Sequence, residues 1–175
     1  MNEKRTALPS SFSDPTSKKV SYSPKFSNVN KEVFMKLAIE EARKSQTPFG
    51  AVIVKDEQVV ERSGNTVQPD NDPTCHAEVN AIRKMTQRLG NPSVSGDYVL
   101  YTTCEPCAMC AATCVWAGIR TVVYGVGVDD FEDSNPNVIS LRCKDIFEKA
   151  PDEYTVKSGL LRDECMQLHK EFPLD

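Results

Sequence analysis

Two stretches of the sequence decide the fold: Asp72-Pro73-Thr74-Cys75-His76-Ala77-Glu78 and Cys104-Glu105-Pro106-Cys107-Ala108-Met109-Cys110. The first places Glu78 two residues after His76. The second ends on Cys107 and Cys110, three residues apart. One imidazole and two thiolates can bind a zinc ion and leave the fourth tetrahedral position open for water. The two stretches therefore predict a zinc site with a carboxylate beside it that can move protons.

Both stretches are predicted to begin helices. Thr74 suits the N-cap of a helix over residues 75–89, in which Glu78 heads an apolar stripe, so its carboxylate is expected to be at least partly buried. Pro106 suits the first turn of the second helix. Cys107 and Cys110 then point to the same side of that helix. Because Ala111, Cys114, Val115 and Trp116 make this helix apolar nearly all round, it is predicted to lie inside the protein.

The other predicted elements alternate between strands and helices. A buried strand before the cysteine-bearing helix and another after it imply a parallel crossover unit and an α/β fold. The loop at 64–73 and the acidic loop Asp129–Asn137 are predicted to have no regular structure. The remaining predictions are helices at 31–45 (capped by Asn30), 138–149 and 160–171, and strands at 50–54, 58–62, 98–103, 121–128 and 153–157.

Composition and charge limit the classes of function. The 175 residues carry a net charge of −4. Residues 1–29 hold five basic and two acidic side chains, so the remainder carries −7, which is a poor surface for a polyanion such as tRNA or DNA. Residues 1–29 are Ser-, Pro- and Lys-rich and are predicted to be a disordered tail, with a single domain over residues 30–175.

The cellular setting follows from what the sequence contains. No apolar run approaches the ~18 residues that span a bilayer, and the N-terminus has no signal-peptide pattern. Seven cysteines, an odd number, suit metal ligands and buried thiols better than disulfides. We therefore expect a cytoplasmic protein without membrane contact.

A closed structural zinc site is the alternative to an open catalytic one. It would need a fourth protein ligand, for which Cys104 and Cys114 are the nearest candidates, although both fit the description of buried thiols better. The second histidine, His169, lies in a charged C-terminal helix and is expected at the surface. An inactive zinc-stabilised protein is the corresponding function, and the intact Glu78 argues against it.

The chain resembles the cytidine deaminase-like superfamily from about residue 31 to the C-terminus, and within it the guanine deaminase and tRNA adenosine deaminase branch. The H-x-E and P-C-x-x-C pair is the signature of zinc nucleobase deaminases. The residues that carry the resemblance are 48–54 (Pro-Phe-Gly-Ala-Val-Ile-Val), Asn65, 72–78 and 101–110.

The resemblance implies a fold, a reaction and a set of site residues. The fold would be a three-layer α/β/α sandwich around a five-stranded mixed sheet, usually assembled as a homodimer. The reaction would be hydrolytic replacement of an exocyclic amine by a carbonyl, with release of ammonia. The implied residues are the zinc ligands His76, Cys107 and Cys110 (one Zn²⁺ per chain), the proton-transferring Glu78, and the substrate-binding residues Asn65, Phe49 and Ala77.

Within that branch, three residues favour a guanine-type purine as substrate. Phe49 stands where the tRNA enzymes usually have valine, and Trp116 matches a tryptophan of guanine deaminases. Asp130 falls where those enzymes carry a second proton-transferring aspartate, with Asp129 as the neighbour that could serve instead. Trp116 as a plain core residue and Asp130 as a plain loop residue remain open.

Two departures leave the substrate undecided. Cys75 replaces the usual alanine before the histidine, and the C-terminal residues 171–175 lack the tyrosine with which guanine deaminases close the pocket of a partner chain. A tRNA adenosine-34 deaminase, and a deaminase of cytosine or a nucleoside, are therefore kept as alternatives.

Overall fold

A single mixed sheet of five strands organises the chain. The computed structural model describes residues 31–130, 139 and 141–173. The strands are β1 (Gly50–Lys55), β2 (Gln58–Gly64), β3 (Tyr98–Cys104), β4 (Thr121–Val126) and β5 (Thr155–Lys157). Their order in the sheet is β2-β1-β3-β4-β5; β1 pairs antiparallel with β2 and β3, whereas β3, β4 and β5 run parallel.

Helices cover both faces of the sheet, as the three-layer prediction requires. The helices are α1 (Lys31–Lys44), α2 (Val67–Asp70), α3 (Ala77–Leu89), α4 (Ala108–Ala117), α5 (Cys143–Glu148) and α6 (Arg162–Glu171). Side chains of α1 and α6 share one hydrophobic cluster with one face of the sheet. Side chains of α3, α4 and α5 share the other cluster with the opposite face.

The central strands are buried because both of their faces are apolar. In β1, Ala51 and Ile53 point into one cluster while Val52 and Val54 point into the other, which is the alternation that a two-sided strand requires. All seven residues of β3 are buried. This rigid centre carries the candidate site at the carboxyl end of β3.

Several predicted boundaries were wrong at their ends. α3 has His76, not Thr74, as its N-cap, because the Asp72 carboxylate accepts hydrogen bonds from the Thr74 amide and hydroxyl and turns the chain first. The loop expected at 64–73 contains the short helix α2. The fourth strand ends at Val126 instead of 128, and a single 3-10 turn follows at Val128–Asp130.

Two predicted burials were also wrong. α4 is not enclosed all round, since Trp116 is 79% exposed, which also excludes the indole from the core. His169 is half-buried, not a surface residue, because α6 packs its inner side against the sheet. The helix expected at 138–149 is described only as α5. The tail, Asn30 and most of the acidic loop lie outside the described residues. Within the described residues, no helix is long and apolar enough to cross a membrane.

Gly50 allows helix α1 to lie directly on β1. A Cβ at this position would come within 2.0 Å of the Ala38 carbonyl oxygen, whereas a Cβ at Gly127 would make only ordinary contacts, at 3.6 Å or more. We therefore expect Gly50→Ala to lower the free energy of unfolding by about 1–3 kcal/mol through overpacking. Gly127→Ala is the matched control and should change it by less than ~1 kcal/mol. Urea unfolding of both variants measures this; an unchanged midpoint for Gly50→Ala would contradict the packing described.

Candidate active site

The N-termini of α3 and α4 meet beside the carboxyl end of β3. His76 is the N-cap of α3 and Cys107 is the N-cap of α4, each in extended backbone conformation. Cys110 lies in the first turn of α4 and is fully buried. Helix N-termini carry partial positive charge, so this meeting point favours thiolates and other anions.

The three predicted ligands have the separations that a zinc ion requires. The Sγ atoms of Cys107 and Cys110 lie 3.7 and 3.6 Å from Nδ1 of His76. Tetrahedral bonds of about 2.3 Å to sulfur and 2.0 Å to nitrogen would separate such atoms by roughly 3.6 Å. The donor atoms all lie within 4.8 Å of one another, and among the described residues no other group of three His, Cys, Asp or Glu side chains does so. The donor set therefore fits zinc.

Hydrogen bonds join these three side chains, and a bound cation would displace the protons of those bonds. The pKa of the Cys107 thiol is lowered to about 4, first by a hydrogen bond from Cys110 and then by one with His76. The pKa of His76 is raised, chiefly by that bond to Cys107. The pKa of Cys110 is raised because it donates to Cys107 and is buried. Zinc binding would release these protons, so zinc affinity should fall as the pH falls.

Neither alternative fourth ligand belongs to this group. Cys104 Sγ instead lies 3.1 Å from Nε2 of His169. Cys114 is fully buried in the hydrophobic cluster between α3, α4 and the sheet. The described side chains thus offer three ligands, which leaves a tetrahedral ion one position for water.

Glu78 lies in the first turn of α3 and is only 6% exposed, as the apolar stripe predicted. Its pKa is raised, first by burial and then by the charge on Cys107. A raised pKa lets a buried carboxyl group hold a proton more readily than an exposed one and pass it on to a neighbouring group. This is the property that the predicted proton-transfer role requires.

The other predicted substrate-binding residues surround the same region. Ala77 is fully buried at the start of α3. The Asn65 side-chain oxygen accepts a bond from the Val67 amide, which leaves its amide nitrogen and one oxygen lone pair as groups that it can offer to a substrate. The backbone amide of Asn65 donates to the Phe49 carbonyl, at 3.3 Å, which brings these two predicted residues together.

Two buried polar residues, to which the sequence assigned no role, hold the site segments in place. Thr103 Oγ accepts from the Gly50 amide and donates to the Pro48 carbonyl, so it grips both sides of Phe49. The Glu105 carboxylate accepts from the backbone amides of Val128 and Cys143 and so fixes the turn before α4. Their signal in the sequence was a polar residue inside or directly after an otherwise apolar strand.

Asp130 and Asp129 differ in their exposure, and Trp116 lies at a distance from the zinc ligand Cys107. The Asp130 side chain is 22% exposed and the Asp129 side chain 74%. Asp130 pairs with Arg162 and accepts from the Gly127 amide, and both bonds lower its pKa. It lines a cavity of about 490 Å³ whose walls include neither the ligands nor Glu78. Trp116 lies nine residues after Cys107, about 13 Å along α4. The substrate roles of both residues remain predictions.

Comparison with known proteins identifies the family. Residues 28–126 match the model of the cytidine and deoxycytidylate deaminase zinc-binding region, and the chain belongs to this family of zinc-dependent nucleobase and nucleoside deaminases. Its members are hydrolases that act on C–N bonds, so the chain is a deaminase of this class that uses zinc.

Individual relatives include both kinds of enzyme in the predicted branch, guanine deaminases and tRNA adenosine deaminases. The guanine deaminase of Bacillus subtilis is 42% identical over 61% of this chain and 74% of its own length. A tRNA-specific adenosine deaminase of Agrobacterium fabrum is 38% identical over 79% of this chain and 91% of its own length.

Solved structures give the same picture. A tRNA:A34 deaminase studied for A-to-I editing superposes with a TM-score of 0.67 at 36% identity, covering 78% of this chain and 98% of that one. The guanine deaminase of Nitrosomonas europaea superposes with a TM-score of 0.71 at 25% identity, covering 82% and 85%. The predicted fold and branch are thereby confirmed.

We expect the purified protein to contain about one zinc ion per chain, because three donors stand at zinc-binding separations. Cys110→Ser should lose most of this zinc. Cys104→Ser, the matched control at a buried cysteine outside the group, should keep it. Elemental analysis after expression in zinc-replete medium measures the content. Loss of zinc from Cys104→Ser, or its retention by Cys110→Ser, would show that the ligand set is wrong.

Proposed function

We propose that the protein deaminates a free nucleobase or nucleoside, with a guanine-type purine preferred, through His76, Cys107 and Cys110 as zinc ligands and Glu78 as the proton carrier. The observation that carries this proposal is the buried Glu78 carboxyl group next to three zinc donors that leave one coordination position open. A closed structural site would have no use for a buried carboxyl group at that place.

The residues divide the reaction between them. Zinc, when bound, supplies the Lewis acidity that makes water a nucleophile at neutral pH. Glu78 accepts the proton of the attacking water, delivers it to the ring nitrogen, and then transfers the second proton to the leaving amine. The C–O bond forms at the ring carbon as the adjacent ring C=N bond becomes single and its nitrogen takes up the first proton. The C–N bond to the amine then breaks as the new hydroxyl group gives up its proton and becomes the carbonyl, and ammonia leaves. Asn65 binds the base through its amide nitrogen, while Phe49 forms a wall of the pocket.

The preference for a guanine-type base rests on pocket residues and on charge. Phe49 fills space that a smaller valine would leave, and Asp130 is a partly exposed carboxylate after β4, where parallel α/β sheets place their ligands. The body of the chain carries a net charge of −7, which opposes binding of a polyanion. The relative from Bacillus subtilis supports the same direction.

The second candidate is deamination of adenosine in tRNA, which the relative from Agrobacterium fabrum and the tRNA:A34 deaminase structure favour. A panel of guanine, cytosine, adenine, their nucleosides and a tRNA anticodon stem-loop, read by ammonia release, separates the two. Guanine as the best substrate supports the proposal. Turnover of the stem-loop alone would replace it with the second candidate, and inactivity on all would overturn both.

Glu78→Gln should abolish turnover of the best substrate while keeping zinc and fold. Glutamine retains the shape of the side chain but cannot carry protons, so we expect kcat to fall by at least ~10²–10⁴-fold. Glu148→Gln, at an exposed position on α5, is the matched control and should be fully active. Steady-state kinetics per bound zinc measures the effect. Activity of Glu78→Gln within tenfold of wild type would contradict the assigned role.

Asp130→Asn should lower kcat for guanine far more than it raises KM, because a second proton carrier acts mainly in the transition state. The expected loss is on the order of 10²-fold. Asp129→Asn is the control and should stay within about threefold, since Asp129 is more exposed. Full guanine turnover by Asp130→Asn would remove both this role and a main reason for preferring guanine.

A homodimer that covers the outer face of α4 would account for the exposed Trp116. Buried tryptophans are frequent energetic centres of interfaces, and an indole that is 79% exposed in one chain is available for such a contact. We expect a dimer at micromolar concentration in sedimentation experiments, and at least tenfold weaker association for Trp116→Ser. A monomeric wild type, or an equally stable dimer of Trp116→Ser, would exclude this interface.

We also propose that residues 30–175 act as one domain in the cytoplasm. All seven cysteines are free, which suits a reducing compartment. Fractionation of cells that express the tagged full-length chain tests this location. Recovery of the protein from an oxidising compartment would contradict it.

A further inference from the structure

The side chain of Asn80 joins two segments of the candidate site that are distant in sequence. Its amide nitrogen lies within hydrogen-bond distance of the Gly64 carbonyl, the Thr66 hydroxyl and the Cys75 carbonyl, at 3.2, 2.8 and 3.1 Å, so its two N–H groups are shared among three acceptors. Gly64 and Thr66 flank Asn65, and Cys75 directly precedes His76. One side chain on α3 therefore holds the substrate-binding segment against the ligand-bearing turn.

The surrounding hydrogen bonds determine which way the Asn80 amide is turned. Its oxygen accepts from Arg83, at 3.0 Å, and its nitrogen faces two carbonyl oxygens and a hydroxyl. The Thr66 hydroxyl donates its own proton to Asp70, which leaves a lone pair for Asn80. The reversed amide would set an oxygen against two carbonyls and an amine against a guanidinium.

Burial makes these bonds costly to lose. Asn80 is 5% exposed, and the Cys75 carbonyl that accepts its bond also accepts one from the Thr66 amide, at 2.9 Å. Buried polar networks specify one arrangement when every member is satisfied, because a buried polar group that loses its partner is costly. Removal of the Asn80 amide would take a donor from all three acceptors at once, while the Cys75 and Gly64 carbonyls would keep their bonds from the Thr66 amide and the Ser63 hydroxyl.

We propose that Asn80 is a positioning residue for substrate binding: it sets Asn65 relative to the zinc ligand His76 without touching the substrate. This proposal rests on the proposed function, because it assumes that Asn65 binds the base. The zinc donors should be little affected, since His76 is held by the start of α3 and the two cysteines by α4. The substrate-binding segment is the part that loosens.

The experiment compares full-length, zinc-loaded Asn80→Ala with Asn91→Ala, a matched control at an exposed asparagine in the loop after α3. Asn80→Ala should lower kcat/KM on the best substrate by about 10- to 100-fold, mostly through KM, with zinc content unchanged. In an Asn65→Ala background the same change should have little further effect, because the residue that it positions is already gone. Independent, additive losses, or a kcat/KM of Asn80→Ala within threefold of wild type, would overturn the proposal.

Hydrogen exchange gives a second measurement that does not depend on activity. The amides of Thr66 and Val67 should exchange at least tenfold faster in Asn80→Ala, while the amides within α3 stay protected. Should Asn80→Ala not fold, Thr66→Val removes one of the three acceptors, together with the bond of that hydroxyl to Asp70, and should show the same pattern with a smaller effect of about 3- to 10-fold. Asp70→Asn then serves as the control for the loss of the second bond. Unchanged exchange at residues 64–67 would overturn the positioning role even for an inactive protein, whereas faster exchange without any deaminase activity would count against the proposed function only.

Discussion

Two thiols approach one imidazole to 3.6 and 3.7 Å, and the surrounding helices and strands are arranged to hold this contact. It requires that α3 and α4 begin at the same place and that β3 end between them. The parallel pairing of β3 with β4 returns the chain after α4 to the same end of the sheet. The turn before α4 is held from the other side by Glu105, whose carboxylate binds backbone amides after β4 and at the start of α5. Small displacements of any of these elements would separate the three donors.

The centre of the site could be read from sequence because its chemistry depends on residue type and local spacing. His76, Cys107 and Cys110 fall at the starts of helices, and the burial of Glu78 follows from the apolar stripe that it heads. Asn80 could not be assigned in this way, since its partners lie up to 16 residues away and only the fold brings them together. Burial was hardest to predict for α4: an apolar helix indicates a buried one, but Trp116 is exposed in the single chain. His169 failed for the opposite reason, because a charged helix can still turn one face inward.

Selectivity among bases depends on parts of the molecule that the zinc motif does not specify. Two polar side chains hold the segments of the predicted pocket. Thr103, on β3, binds the segment around Phe49, and Asn80, on α3, binds the segment around Asn65. Because the Phe49 carbonyl also accepts a hydrogen bond from the Asn65 amide, these hydrogen bonds form one connected frame. A frame of this kind lets a common reaction centre serve different bases through changes in a few side chains, while the charge on the surface decides between small substrates and a polyanion.

We infer that three protein side chains and one exchangeable water complete the metal site. X-ray absorption at the zinc edge of the purified full-length protein measures these ligands. We expect two sulfur ligands at about 2.3 Å and two nitrogen or oxygen ligands at about 2.0 Å, with the spectrum of Cys104→Ser unchanged. Three or four sulfur ligands would show that Cys104 or Cys114 closes the site, and would contradict its reading as a catalytic centre.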